Sequence, residues 1–401
     1  MDLIFITEAR FYKAAQGIYY AGDMSYNNKL WERYLEDFNN VYVVARIFNS
    51  NENFDKDFVV DNVHFLPLPS FDGIFSFMKN LFEIKKCLNN YLVPNHAVII
   101  RGGGILGYSA SKICKNKKIK YGIEVIGDPY EVFAPGVIKH PLRPFFRGWF
   151  TYIQKVTVKR AIAAIYVTKF TLQKRYPASE KAFSTYASDV FLDLTKPITA
   201  HKSFQDVEKI KLISVGSLDQ MYKSPDILIK AVKILVEKEI DVHLVWLGKG
   251  KCQGEMEQLC KDLSISDNVQ FVGAVPSDEV TNYLDNSDIF LLVSRTEGLP
   301  RAVVEAMSRG LPCIGTRVGG IPELLLDEAL VAPESSQQIA DKIFSFFDDK
   351  SMYSKHSLRN LENSQEYSFD VLNGKRKEFY KYLTDFKVNS EKKNYNSNDS
   401  I

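Results

Sequence analysis

Six short apolar runs in the second half of the chain alternate with helical patterns, and that alternation limits the fold more than any other feature. Leu212–Val215, Val242–Leu247, Val269–Val272, Ile289–Val293, Cys313–Thr316 and Ala329–Val331 read as buried strands. Between and after them, Pro225–Glu237, Glu255–Leu263, Ser277–Leu284, Pro300–Arg309, Ile321–Leu325 and Ser336–Phe347 carry helical periodicity. That order predicts an α/β fold with a doubly wound parallel sheet and helices on both faces. The first half alternates less cleanly. Its strands are Leu3–Thr7, Val41–Ile47, Ala97–Ile100, Tyr121–Ile126 and Ala163–Val167, and its clearest helices are Asn27–Phe38 and Tyr108–Lys115.

A chain of 401 residues has room for two domains, each with its own core. The polar stretch Lys196–Glu208, with Pro197, separates the two alternating halves, so domains are expected over 1–200 and 207–368. Leu372, Phe379, Tyr380, Leu383 and Phe386 share one helical stripe, which predicts a terminal helix over 369–386. Residues 387–401 are polar and lysine- and asparagine-rich, with too little apolar surface to order themselves. No apolar run approaches the roughly 18 residues of a membrane span, and the start Met1-Asp-Leu-Ile-Phe-Ile-Thr lacks the basic region of a secretory signal. A cytoplasmic protein is expected. The odd set of five cysteines, without metal-ligand spacing, fits a reducing compartment.

The densest chemistry lies in Ser294–Glu323. Glu297 and Glu305 stand eight residues apart, with Thr296–Leu299 as the turn leaving a strand. Pro300 suits the first helical position and Gly310 the residue just past the helix end. A strand, a glycine-bearing turn and a helix start form a place for phosphate-bearing ligands. A carboxylate aimed at such a place needs another contact, such as a hydroxyl. The plain alternative is a solvated helix with an Arg301–Glu305 pair at helical spacing.

With Gly298-Leu299-Pro300 between the acids and Gly319-Gly320-Ile-Pro-Glu323 after them, the segment resembles the signature of the family 4 retaining glycosyltransferases. The resemblance implies the GT-B fold, two doubly wound Rossmann-like domains facing each other across a cleft. It implies that Glu297 contacts the transferred sugar and Glu305 the ribose hydroxyls of the nucleotide. It continues after the strand ending Ile213-Ser-Val-Gly216, where Lys223 matches a lysine that binds the donor diphosphate. Ser217 and Ser224 depart from the pattern by replacing an arginine and a glycine. The implied donor site is therefore Gly216, Ser217, Lys223, Glu297, Gly298, Leu299, Glu305, Gly319 and Gly320. Gly319-Gly320 would give close backbone approach, with N–H groups meeting phosphate oxygens. Gly248-Lys249-Gly250-Lys251 reads as a flexible loop over the nucleotide, or equally as a surface turn.

On the acceptor side, Gly17 and Gly22 lie on a long loop after the first strand, serving either the acceptor or only turns. Arg101-Gly-Gly-Gly104 follows another strand, and Gly102, Gly104 and Gly107 fit Gly-x-Gly-x-x-Gly. That string is weak evidence for a dinucleotide, because it belongs to a later strand-helix unit and lacks a suitably placed acid. Asp128 stands near the place where many family members carry a histidine, and is a candidate to orient the acceptor hydroxyl; a turn residue before Pro129 is the alternative. Catalysis is thus assigned to Glu297, Lys223 and Asp128, and the acceptor side to Gly17, Arg101 and Asp128. No Asp-x-Asp string stands at these strand ends, so neither a metal nor another cofactor is expected.

From Val132 through Ser179 there is no acidic residue, while Lys139, Arg143, Arg147, Lys155, Lys159, Arg160, Lys169, Lys174 and Arg175 supply nine positive charges. Phe145, Phe146, Trp149, Phe150 and Tyr152 cluster among them. Basic residues around exposed aromatics suit an anionic membrane surface, and inward-facing aromatics with basic flanks are the bland alternative. Nucleic acid would need similar ingredients but is not expected as a partner. The reading is a retaining, metal-independent hexosyltransferase. It would move a sugar from a nucleotide-diphosphate donor, a UDP-sugar by family frequency, to a hydroxyl of a glycan or lipid-linked acceptor. Cell-surface polysaccharide synthesis, peripheral on the cytoplasmic face of the membrane through 139–175, would be its setting. The rivals are a nucleotide-sugar 2-epimerase on the same fold and a non-catalytic membrane adaptor.

Overall fold

The computed structural model describes residues 1–15, 17–22, 26–50, 61–135, 137, 140–192 and 209–398, side chains at 277–278 and beyond 386 excepted. The expected domain boundary at 196–208 lies outside the described residues. Two compact units form. Unit 1 comprises Met1–Pro129, Gly148–Ala187 and Gly374–Ile401, and unit 2 comprises Tyr130–Arg147 and Ser188–Asn373.

Unit 1 is built on β1 (Leu3–Lys13), β2 (Tyr19–Ala21), β3 (Val41–Asn49), β4 (Val63–Leu68), β5 (Ala97–Arg101), β6 (Gly122–Val125), β7 (Ala163–Tyr166) and β8 (Phe183–Tyr186). Their order is β4-β3-β1-β5-β6-β7-β8, with β2 added to β1. All pairs along that path are parallel, and only β2 runs antiparallel. β1 continues six residues past the expected end at Thr7. Glu8, Arg10 and Lys13 interrupt its apolar run, while a register shift between Ile6 and Arg10 re-aims the strand. β4 carries Pro67, which a sheet tolerates on an edge, and β4 is an edge strand.

Unit 2 carries β9 (Ile210–Val215), β10 (Val242–Leu247), β11 (Val269–Gly273), β12 (Ile289–Leu292), β13 (Cys313–Thr316) and β14 (Leu330–Val331). The order β11-β10-β9-β12-β13-β14 is parallel throughout. Its central strands are buried on both faces, as the continuous apolar runs required. Chain order reverses between β9 and β12, and the loops leaving the carboxyl ends of such strands are where this architecture binds ligands.

The last helix, Phe369–Asn398, packs on unit 1 from Gly374 onward. Phe379 and Leu383 lie directly over Gly122, where a Cβ would come within 2.7 Å of both side chains. Tyr380 packs against Tyr34 and Phe38 at centroid distances of 5.6 and 5.5 Å. Phe386, expected on the same stripe, is 37% exposed instead. The backbone stays helical to Asn398, beyond Lys387, where composition argued against independent order. Once a packed turn exists, propagation adds one hydrogen bond per residue, so polar residues can continue a helix they could not nucleate.

Candidate active site

The loops leaving β9 and β12 bring the charged groups of unit 2 together. Gly216 donates to the Leu247 carbonyl at 2.8 Å, and its own carbonyl accepts from Trp246 Nε1 at 2.9 Å. The stem of Lys223 lies over this glycine, because a Cβ there would meet Cγ, Cδ and Cε at 3.1–3.2 Å. Lys223 Nζ then reaches Glu297 Oε1 at 2.6 Å, and Ser294 Oγ donates to the same oxygen at 2.6 Å. Both charged side chains are largely shielded, at 12% and 9% exposure. An ion pair in that setting is attractive only because hydrogen bonds complete its coordination.

Arg295 fixes the two loops to each other. Its backbone N–H donates to the Tyr222 carbonyl at 2.7 Å, and Nη1 donates to the Met221 carbonyl at 2.5 Å. The guanidinium also binds both oxygens of Asp226 at 3.0–3.1 Å and Glu334 at 2.8 Å. With these bonds, Arg295 is a positioning residue for the Lys223 loop and does not replace the cation that Ser217 removes.

Gly319 and Gly320 act differently from expectation. A Cβ on Gly319, whose φ is +52°, would fall 1.9 Å from the Glu297 carbonyl oxygen. The Gly320 N–H donates to the Gly298 carbonyl at 2.7 Å, and a Cβ there would sit 2.5 Å from that oxygen. The pair is a spacer that lets two backbones touch and fixes the loop bearing Glu297, Gly298 and Leu299. The following helix, Ile321–Leu324, is a single turn.

The helix Arg301–Ser308 starts one residue later than expected, with Pro300 as its N-cap at φ −75° and ψ 114°. It has no side-chain cap, so its first N–H groups suit an anion. Gly310 takes φ +65° just past the C-cap, as its position implied. Glu305 stands one turn into this helix, half-buried. Burial raises its carboxyl above the ordinary range, and the neighbouring Arg301 opposes the rise. Among the described contacts, none joins Glu305 to the Lys223–Glu297 pair.

The departures at Ser217 and Ser224 acquire physical meaning. Ser217 Oγ donates to Asp219 Oδ2 at 2.9 Å and accepts from the Asp219 N–H at 3.2 Å, a local turn. Ser224 is fully buried in the left-handed region, at φ 52° and ψ 48°, and its hydroxyl has no partner. A glycine meets that conformation without strain. Gly248 and Gly250 lie flush on the backbone of residues 216–219, and Lys249 O accepts from the Leu218 N–H at 3.0 Å. Loop 248–251 is therefore anchored and not a flexible cover.

In unit 1 a pocket of about 490 Å³ is lined by Glu8, Arg10, Tyr12, Tyr26, Arg46 and Arg101 among others. Arg101 is buried and paired with Glu124, whose other oxygen accepts from Tyr34 Oη at 2.7 Å. Gly17 is outside this pocket, in the turn of the β1–β2 hairpin, where φ +81° requires glycine. Asp128 is buried, with one oxygen on Arg175 and the other accepting from Tyr176 Oη at 2.6 Å. Its carboxylate thus fastens residues 175–176 to the end of β6.

The Gly-x-Gly-x-x-Gly string has a specific fate. Glu8 Oε1 accepts the N–H groups of Leu106 and Gly107 at 2.6 and 3.1 Å, at the start of the helix Ile105–Asn116. A Cβ on Gly104 would collide with that carboxyl at 2.5 Å. The amides a dinucleotide would use are spent on a side chain. Burial raises the Glu8 carboxyl, and these N–H groups and Arg46 oppose the rise. Neither Glu8, Ser294 nor Arg295 stood out in the sequence. Glu8 lies inside β1 at its register shift, Ser294 and Arg295 just past the end of β12, and none belongs to a spacing pattern.

Along 139–175 only part of the expected surface faces outward; Lys139 lies outside the described residues. Phe145 and Tyr152 are 62% and 59% exposed, and Phe146, Trp149 and Phe150 are half-buried. Arg143 donates to the Phe133 carbonyl at 3.0 Å, and Arg147 lies 3.5 Å over the Tyr130 ring. Several of the basic groups therefore serve internal contacts.

Comparison with known proteins gives one pattern. Residues 196–363 match the family model for glycosyl transferases group 1. The chain is 26% identical over 402 residues to protein CapJ of Staphylococcus aureus, covering 96% of this chain and 97% of CapJ. It is 33% identical over 139 residues to the amylovoran biosynthesis glycosyltransferase AmsK of Erwinia amylovora, a third of each chain. Its fold matches that of HepE from Anabaena, solved with UDP, at a TM-score of 0.64 and 13% identity, over 94% of this chain and 99% of that one.

Proposed function

We propose, for a chain that belongs to the group 1 glycosyltransferases and has the GT-B fold, that unit 2 binds a nucleotide-diphosphate sugar. The enzyme then moves the sugar, with retention, to a hydroxyl of a glycan or lipid-linked acceptor. The observation carrying this reading is the Lys223–Glu297–Ser294 cluster at the point where strand order reverses. A diphosphate entering beside the uncapped helix Arg301–Ser308 competes for the Lys223 ammonium. Releasing Lys223 frees Glu297 Oε1 to accept a sugar hydroxyl. Lys223 and the helix N–H groups then hold the charge that develops on the leaving diphosphate, while the reacting carbon gains oxocarbenium character. These groups do the work of a cation without a metal. Glu305 supplies the acceptor for ribose hydroxyls. Asp128 has both oxygens engaged, so activation of the acceptor hydroxyl is not assigned to it.

HepE's complex with UDP supports a uridine donor, and the name of AmsK supports a polysaccharide pathway. A lipid-linked acceptor would place the enzyme on the cytoplasmic face of an anionic membrane; Phe145, Tyr152, Lys155 and Lys159 face outward for that contact. The test is a thermal-shift panel of nucleotide sugars, followed by NMR of the product anomer with acceptor. Glu297→Gln should reduce turnover far more than nucleotide affinity. An inverted product would overturn retention. An epimer formed from donor alone would replace transfer by epimerisation, and no response to any nucleotide sugar would remove the reading.

A further inference from the structure

The helix Gly73–Tyr91 in unit 1 is apolar on two opposite sides. Phe77, Ile84 and Leu88 are buried on one. On the other, Phe75, Met78 and Phe82 stand at i, i+3 and i+7, exposed by 79%, 63% and 84%. Single exposed apolar residues are common, but three aligned on one helical stripe mark an interaction surface. Lys79, Lys85 and Lys86 are exposed around this stripe, with Glu83 the one acid exposed on the helix.

We propose that this face docks onto an anionic lipid bilayer. Aromatic and thioether side chains flanked by lysines fit the interface between acyl chains and negative headgroups, into which such a face sinks about 5–10 Å. Lysine stems let the ammonium groups stay at headgroup level while the apolar residues go deeper. The start of this helix is tied to its surroundings in unit 1. Phe71 packs edge-on against Phe77 at 5.1 Å, the Asn80 amide donates to the Ser70 and Ser76 carbonyls at 3.2 Å, and Arg10 pairs with Asp72 at 2.7 Å. No helix of the described residues is long and apolar enough to cross a membrane, so this is surface attachment. It requires neither the proposed transfer reaction nor the 139–175 surface.

The experiment is sedimentation of the full chain with phosphatidylcholine vesicles, with and without 30% phosphatidylglycerol. Binding to the anionic vesicles alone is expected, falling about tenfold or more in 0.5 M salt as the charges are screened. The F75S/F82S double variant should lose about tenfold or more of that binding while its melting temperature and nucleotide-sugar thermal shift stay unchanged. K85E/K86E should lose a similar factor. Three results would overturn the assignment: no binding to anionic vesicles, undiminished binding by F75S/F82S, or loss only in F145S/Y152S. Concentration-dependent dimerisation abolished by F75S/F82S would also overturn it, giving the face to a second copy of the chain. The unchanged nucleotide-sugar shift separates each of these from failure of the transfer reading.

Discussion

Gly319→Ala is the most informative single perturbation, because it acts on Glu297 without touching its side chain. The added Cβ would lie 1.9 Å from the Glu297 carbonyl oxygen. Real contacts of that kind stay above roughly 3 Å, so the two backbones must separate by about 1 Å or more. Alanine at φ +52° also carries roughly 1–2 kcal/mol of left-handed strain. Overpacking adds about 1–3 kcal/mol. The sum, about 2–5 kcal/mol, should lower the melting temperature by roughly 4–20 °C at about 2–4 °C per kcal/mol. Moving the Glu297 loop by 1 Å should cost about a hundredfold in kcat. Gly273→Ala is the control: its φ is +88°, yet a Cβ there meets nothing within 4 Å. It should show the strain alone, with turnover within a few-fold of the unaltered enzyme. The measurements are thermal melts and steady-state sugar transfer at a temperature where both variants are folded. Gly319→Ala with ordinary turnover, or Gly273→Ala equally impaired, would refute the spacer argument.

Two further outcomes follow from unit 2. Ser224→Gly removes strain worth about 1–3 kcal/mol and a buried hydroxyl without a partner, against about 0.5–1 kcal/mol of extra chain entropy. The urea midpoint should therefore rise, and a fall would show that Ser224 makes a contribution the geometry does not account for. For Glu305, burial raises the folded-state carboxyl above its unfolded value, so the folded state binds the extra proton. Stability falls as pH rises from the unfolded pKa through the folded one, and the loss is complete above it. Glu305→Gln should therefore be more stable than the parent at pH 7.5, with the gap closing toward pH 4. Its donor affinity should drop about ten- to hundredfold, since hydrogen bonds to a charged group contribute about 1.5–3 kcal/mol. A pH-independent stability difference would refute the cause assigned to the shift.

Much of unit 2 was legible because its strands are buried on both faces and therefore read as unbroken apolar runs. β10, β13 and the helix Pro225–Glu237 fall at the expected bounds. Unit 1 was harder where strands lie on edges or change partner. β4 and β8 mix polar residues into edge positions, and β1 hides its second half behind Glu8 and Arg10. The helix Gly73–Tyr91 carries apolar residues on two sides, which blurs the single-face pattern that marks an amphipathic helix. In the site, Lys223 and Glu297, each assigned to the donor by the family resemblance, come together from 74 residues apart. Long-range backbone contact is invisible to spacing, so the role of Gly319 against Glu297 and the work of Arg295 required coordinates. Asp128 was plausible by position, but its partners Arg175 and Tyr176 lie 47 and 48 residues away.

The carboxyl of Glu8 at the head of the helix Ile105–Asn116 divides labour between two similar sheets. A Rossmann-like half carries by default an amide cradle that attracts nucleotide phosphates. By seating its own acid there, the amino-terminal half satisfies the cradle internally and would not compete for the donor proposed for unit 2. One residue thereby turns a duplicated architecture into two unlike receptors.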